Sequence, residues 1–187
     1  MATAQVNQTG QWTPLLTWPF VPIAIAHLAD GRVVAWASTQ TTTFPVGATF
    51  TYAAIYDPNT GVITALNNTA HDMFCTGMAQ TGDGRIIASG GGANVRTTST
   101  IGMIPRWSQN WSQLGDMLSG RWYNTSVTLP NGNLLTMWGR AGGTLTEIFD
   151  QNTNTWSALP GIALDSTLEA NDLVDDDNQW FYNQLQH

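Results

Sequence analysis

The chemistry-bearing residues of this chain are few and gathered in two places. His71-Asp72-Met73-Phe74-Cys75 puts an imidazole, a carboxylate and the chain's one thiol in a single short run, and Gly120-Arg121-Trp122-Tyr123 puts a phenol behind a guanidinium and an indole. One cysteine excludes an internal disulfide and any zinc site of four cysteines, or of two cysteines and two histidines, from one chain. With only His27, His71 and His187, a histidine-rich metal site is hard to build. Read one at a time, these residues have ordinary roles. A cysteine flanked by Phe74 and Met78 is a buried core thiol, and Tyr123 beside Trp122 packs its ring and bonds its phenol locally. His71 reads as structural, His27 as a packing residue inside a strand, and Asp72 as structural because no partner for a general base is identifiable. Asp175-Asp176-Asp177 lacks the D-x-[DN]-x-[DN]-G pattern of a calcium loop and reads as a solvated turn.

The elements that must position these residues read as strands. Three segments repeat a turn, a glycine and an apolar run: Asp30-Gly31-Arg32-Val33-Val34, Asp83-Gly84-Arg85-Ile86-Ile87 and Asn131-Gly132-Asn133-Leu134-Leu135. Asp-Gly and Asn-Gly predict two-residue hairpin turns in which both central residues take positive φ. A second hairpin follows in each unit, as in Ile55-Tyr56-Asp57-Pro58-Asn59-Thr60-Gly61-Val62 and Ile148-Phe149-Asp150-Gln151-Asn152-Thr153-Asn154-Thr155. The middle unit carries Met103-Ile104-Pro105-Arg106-Trp107 before its own polar turn. Four short strands per unit of roughly 50 residues match a kelch-type propeller blade. The expected architecture is therefore all-β, an antiparallel kelch-type β-propeller in one incomplete domain. Its blades are expected near 20–66, 70–115 and 120–160, with a partial fourth over 165–187. Thr39 to Phe50 reads as a loop. Gly90-Gly91-Gly92 and Gly139 follow the second strands and lack the GxxxxGK[ST] pattern of a phosphate loop. Trp107, Trp111, Trp156 and Trp180 read as packing between blades. Asn7, Asn67, Asn110 and Asn124 lie in N-x-[ST] sequons, which matter only on a eukaryotic secretory route.

Composition narrows the partners. The 187 residues hold 6 Lys or Arg against 13 Asp or Glu, a net charge of -7. A nucleic-acid binder needs clustered cations to displace counterions from phosphates, and a polybasic membrane-surface protein needs them too, so neither class is expected. Nine Trp, six Phe and four Tyr supply a core. There is no apolar run of transmembrane length, and Met1 to Gln11 lacks the charged and apolar regions of a secretory leader.

The two short motifs also carry a family resemblance. His71-Asp72-Met73-Phe74-Cys75-Thr76-Gly77 closely resembles the HDMFC-x-G signature of the galactose oxidase and glyoxal oxidase family, secreted copper radical oxidases on a seven-bladed kelch propeller. Gly120-Arg121-Trp122-Tyr123 resembles the family's R-x-Y segment in its RWY form, and Gly10 to Pro14 with Pro19 to Pro22 resembles the start of its propeller. The resemblance covers nearly the whole chain but half or less of the family's propeller.

What the resemblance implies is specific. Cys75 matches the cysteine that forms a thioether with the ring of a copper-ligating tyrosine. Tyr123 matches that tyrosine, which binds copper and holds the radical. Phe44 matches an aromatic residue of the substrate pocket. The family also uses a second tyrosine and two histidines from later blades, beyond the match. Its radical-shielding aromatic residue falls by ungapped count near Arg140-Ala141, where neither residue is aromatic. The expected activity is oxidation of a primary alcohol, sugar or aldehyde by O2 with release of H2O2, extracellularly, with further ligands from a longer chain or a second one. The alternatives at this point are a non-catalytic propeller module that binds carbohydrate or protein, and a chain that self-associates through open blade edges.

Overall fold

The computed structural model describes residues 12, 14–47, 49–102, 110–139 and 145–160. The Met103 to Gln109 segment, Arg140-Ala141 and the fourth unit over 165–187 lie outside the described residues, as do Asn7, Trp107, Trp180 and His187.

Twelve short strands form three four-stranded antiparallel sheets among the described residues. The first holds β1 (Ala24–His27), β2 (Val33–Trp36), β3 (Ala53–Asp57) and β4 (Val62–Ala65). The second holds β5 (Gly77–Gln80), β6 (Ile86–Ser89), β7 (Thr98–Ile101) and β8 (Ser112–Gln113). The third holds β9 (Thr125–Thr128), β10 (Leu134–Met137), β11 (Glu147–Asp150) and β12 (Thr155–Ala158). In each sheet the chain order is the spatial order, so every strand pairs with its predecessor. The first strands of the second and third sheets, β5 and β9, lie side by side.

The hairpin turns form by a different geometry from the two-residue type expected. Gly31, Gly84 and Gly132 take φ of 88°, 88° and 85°, while the Asp or Asn before each stays at negative φ. The amide of each glycine donates to the carbonyl three residues back, Gly31 to Leu28 at 3.0 Å and Gly84 to Thr81 at 2.9 Å. The strand then closes one residue later, Leu28 N to Arg32 O at 2.8 Å. This is a four-residue turn that ends in one left-handed glycine, which adds a bulge to the hairpin and needs a single unhindered residue.

The central strands read as continuous apolar runs because both their faces are covered. Along β6, Ile86 and Ala88 join Val34, Trp36, Ala53, Ile55 and Met73 in the seam between the first two sheets. Ile87, between them in sequence, faces the other way and packs with Met117, Leu134, Phe149 and Trp156 against the third sheet. Strand alternation therefore sends one short run into two cores. Two tryptophans expected between blades are there. Trp111 meets Trp36 edge-on with ring centroids 5.5 Å apart, and Trp156 donates its indole N–H to Thr98 Oγ1 at 3.0 Å. His27 departs from expectation: it sits exposed at the end of β1 instead of packing.

Candidate redox site

The segment from His71 to Cys75 joins the first sheet to the second. Thr51 Oγ1 donates to the His71 carbonyl at 2.7 Å and accepts from Met73 N at 2.8 Å, and Trp36 Nε1 donates to the Met73 carbonyl at 3.1 Å. His71 is buried. Its Nε2 lies 2.6 Å from the Gly90 carbonyl and its Nδ1 lies 2.9 Å from Ser99 Oγ. A carbonyl only accepts, so Nε2 carries the proton and Nδ1 accepts from the Ser99 hydroxyl. Both ring nitrogens are thus committed, which agrees with the structural reading of His71. Burial pushes its pKa down to about 4, against the partial opposition of the Gly90 carbonyl.

Asp72 has the partner that the sequence did not reveal. Its carboxylate accepts from Gly47 N at 2.9 Å and from Phe74 N at 3.1 Å. It therefore holds the loop that carries Phe44 against the turn that carries Phe74 and Cys75. The Phe44 and Phe74 rings stack, 5.7 Å apart and 5° from parallel.

The Gly120 to Asn124 segment comes alongside from the third sheet. Arg121 is fully buried and paired with the equally buried Glu147, Nη2 to Oε1 at 2.9 Å and Nε to Oε1 at 3.2 Å. Its Nη1 also donates to the Trp138 carbonyl at 2.6 Å, and Glu147 accepts from Leu118 N at 2.7 Å. A buried ion pair is tolerable only with its remaining donors and acceptors satisfied, and this one is laced into the backbone on both sides. The glycine run explains how the two motifs approach so closely. Gly91 N donates to the Arg121 carbonyl at 2.8 Å, and a Cβ at Gly91, whose φ is 134°, would overlap the Asp72 carbonyl oxygen. These glycines serve contact between backbones, and phosphate plays no part in that reading.

The two motifs meet at the two residues that the resemblance singled out. Tyr123 N donates to the Cys75 carbonyl at 3.1 Å. Both residues take left-handed backbone, φ 55° at Cys75 and 61° at Tyr123. For a residue with a side chain that conformation costs of order 1–3 kcal/mol, and such strain gathers at functional sites. The Cys75 thiol is half-buried, and its pKa is raised by that burial; hydrogen bonding from Tyr123 and then from Trp122 favours the thiolate and works against the rise. The sulfur and the phenol therefore adjoin. A cleft of about 380 Å³ beside them is lined by Cys75, Tyr123, Met78, Ile23, Thr125 and Ser126, and a second of about 480 Å³ reaches Cys75 past Pro22 and Ile25.

Phe44 lies outside the walls of both clefts but is connected to the pair. Phe74, stacked on Phe44, packs at 6.2 Å against Trp122, and Trp122 stacks on Tyr123 at 4.9 Å and 19°. The structure thus brings Cys75 and Tyr123 into contact and places Phe44 at the far end of a row of four rings. Three contributors were hidden in the sequence: Trp122 as a ring on Tyr123, Asp72 as an anchor for the Phe44 loop, and Arg121 as the anchor of the tyrosine segment. The signal for Arg121 was available, since an arginine two residues from a candidate phenol is notable in a chain with 6 Lys or Arg. Among the described residues, no group of three or more His, Cys, Asp or Glu is placed to hold a metal ion. Asn124 is buried, with its amide on Gly77 N at 3.1 Å and Ser89 Oγ at 3.4 Å, so that sequon is closed in the folded protein.

No family model matches the chain. Two galactose oxidase sequences of Gibberella zeae, one from a designated strain, are each 31% identical to it over 195 residues, an alignment that takes in 99% of this chain and 27% of theirs. The chain spans about a quarter of the length of these curated relatives. A solved fungal alcohol oxidase of the AA5 family, in complex with copper, superposes with a TM-score of 0.74 at 35% identity, covering 82% of this chain and 33% of that one. The chain is thus a homologue of galactose oxidase along nearly its whole length, and its three sheets are blades of the β-propeller fold that AA5 oxidases share.

Proposed function

We propose that this chain forms part of a kelch-type propeller in an extracellular copper radical oxidase, and that Cys75 and Tyr123 become its thioether-linked redox cofactor. The observation that carries the reading is the junction of the two motifs, a backbone hydrogen bond of 3.1 Å from Tyr123 to Cys75 with the sulfur beside the phenol. The blades would run over 20–66, 70–115 and 120–160, with a fourth beginning over 165–187.

The donor set fits the cofactor in part. A phenol beside a half-buried thiol suits a cross-linked tyrosine ligand, and Tyr123 would hold copper. The rest of the ligand set, a second tyrosine and two histidines, would come from outside the described residues. Copper(II), when bound, would supply a one-electron acceptor in a nitrogen- and oxygen-ligated site with an open position. The link between Cys75 Sγ and the Tyr123 ring forms a C–S bond as the thiol S–H and one ring C–H break, and two electrons and two protons pass to O2 as H2O2. In turnover a primary alcohol, a sugar alcohol group or a hydrated aldehyde gives up two electrons and two protons, again to O2. The protein supplies the pair, its orientation and its partial exclusion of water, which is how side chains tune such a cofactor. Phe44, on the loop held by Asp72, would contact the substrate.

Protein from its native source, copper-loaded in air, is expected to oxidise a primary alcohol with one H2O2 formed per O2 consumed. The Cys75→Ser variant is expected to lose at least a hundredfold in turnover. Undiminished turnover in that variant would contradict the reading.

A further inference from the structure

Two of the N-x-[ST] sequons differ sharply in their surroundings. Asn124 is buried where the second and third sheets meet, and both ends of its amide are engaged, Oδ1 with Gly77 N and Nδ2 with Ser89 Oγ. Packing there is tight enough that a Cβ at Gly77 would overlap Asn124 Nδ2. Asn67 lies just past β4, in the segment that leaves the first sheet for the second. Thr51 N donates to the Asn68 carbonyl at 2.8 Å and Asn68 N to the Thr51 carbonyl at 2.9 Å, which holds the segment extended. Alternation then sends the middle residue inward and its neighbours outward. Asn68 is buried, with Nδ2 on Ser99 Oγ at 3.0 Å, whereas Asn67 and Thr69 are exposed. The Asn67 amide is oriented as well. A backbone N–H needs an acceptor, so the atom that meets Ala53 N at 3.1 Å is Oδ1. Nδ2, the other end of the same planar group, is turned away from that contact. Asn67 borders a cleft of about 320 Å³ lined also by Leu66, Asn110, Trp111 and Gln113.

We propose that Asn67 is an N-glycosylation site whose first sugars lie over this cleft. The new bond joins Asn67 Nδ2 to the anomeric carbon of an oligosaccharide carried on a lipid pyrophosphate. Nδ2 gives up one proton, the lipid pyrophosphate leaves, and nothing is oxidised or reduced. Thr69 supplies the hydroxyl that the sequon requires. The link leaves Oδ1 unchanged, so the hydrogen bond from Ala53 N survives it. A glycan at Asn67 also stands beside β4, the edge strand of the first sheet, where Val62 is 54% exposed, and screens that edge from other strands. The proposal rests on the extracellular reading, reached by a eukaryotic secretory route.

The test uses the protein in its full natural length from two sources, its native one and a yeast that secretes it behind a leader peptide. Peptide-N-glycosidase treatment in heavy-oxygen water, followed by peptide mapping, marks each asparagine that carried a glycan. Asn67 is expected to be marked in most of the protein from both sources, and Asn124 in neither. In yeast, Thr69→Ala breaks the sequon without touching the Asn67 amide and is expected to lose the mark. Thr69→Ser keeps the hydroxyl and is expected to retain it. Thermal melting reports that both variants fold. An unmarked Asn67 in folded protein from yeast, or a glycan on Asn110 alone, overturns the assignment. Asn67 marked in yeast and unmarked in the native protein overturns the modification in nature and the secretory route with it. Asn67 marked in both, with no H2O2 formed from an alcohol by the copper-loaded protein, keeps the glycan and removes the oxidase reading.

Discussion

The two seams between the sheets are built from different materials. The seam between the first and second sheets is an apolar core around Trp36, Met73 and Ile86 that encloses one buried polar group, Asn68 and His71 on Ser99, and its D-G-R turn stays outside: the Asp30–Arg32 pair has side chains 33% and 28% exposed. The seam between the second and third sheets has its own apolar core, but polar contacts run along it. There the same D-G-R turn is drawn inward. Arg85 is fully buried, pairs with Asp83 at 3.0 Å, and donates from Nη1 to Asn154 Oδ1 and from Nη2 to the Gln151 carbonyl, both at 2.7 Å. Gly82 N donates across to the Gly132 carbonyl at 3.0 Å, and Thr128 Oγ1 to the Gln80 carbonyl at 2.6 Å. Apolar packing tolerates small slips; aligned hydrogen bonds between backbone and buried side chains do not. This hydrogen-bonded seam is the one across which Tyr123 N meets the Cys75 carbonyl.

The contrast can be broken most severely at Arg121. Arg121→Met leaves the Glu147 carboxylate buried without its cation, at a cost of about 3–5 kcal/mol. A urea midpoint that falls accordingly, together with loss of the joined peptides, is the expected outcome; a midpoint close to native would show that the Arg121–Glu147 pair does not anchor the tyrosine segment. Lowering the pH tests the other seam through His71. Its folded pKa of about 4 lies below the unfolded value of 6.5, so the unfolded chain takes up the proton first. Stability from this group is complete above pH 6.5 and is lost as the pH falls from 6.5 toward 4, by up to ~3 kcal/mol. Denaturation midpoints across that window, compared with His71→Gln, measure it, and identical pH slopes in the two proteins would deny it.

A smaller effect separates the two D-G-R turns. Arg85→Met is expected to cost about 2 kcal/mol, because it strands acceptors on two turns, while Arg32→Met costs no more than about 1 kcal/mol, as for other exposed pairs. Equal shifts in melting temperature would erase the distinction between the seams. Smallest of all, adding salt to 1 M is expected to remove most of the Asp30–Arg32 contribution and little of that at Asp83–Arg85. A double-mutant cycle at both salt levels reads this.

The strands were legible because both-face burial writes itself as Val33-Val34-Ala35-Trp36 and Ile86-Ile87-Ala88, and the repeated glycines marked where each hairpin turns. Turn type was misjudged because Asp-Gly suits either a two-residue turn or a longer turn that closes on the glycine, and only the strand register distinguishes them. His27 was misplaced for a related reason, since one residue of phase decides which face a strand residue takes. At the site, Cys75 and Tyr123 were visible as motif residues, and Phe44 only through the family resemblance. Their organisers were not, because Asp72, Arg121 and Trp122 act through partners 25, 26 and 48 residues distant in sequence, at Gly47, Glu147 and Phe74.

The central claim is that Cys75 and Tyr123 form one covalent unit. Peptide mass mapping of protein from its native source, after copper loading in air, tests it directly. The account predicts that the peptides carrying Cys75 and Tyr123 run as one species, lighter than their sum by the two hydrogens lost. A free, alkylatable Cys75 in correctly folded, copper-loaded protein would contradict it.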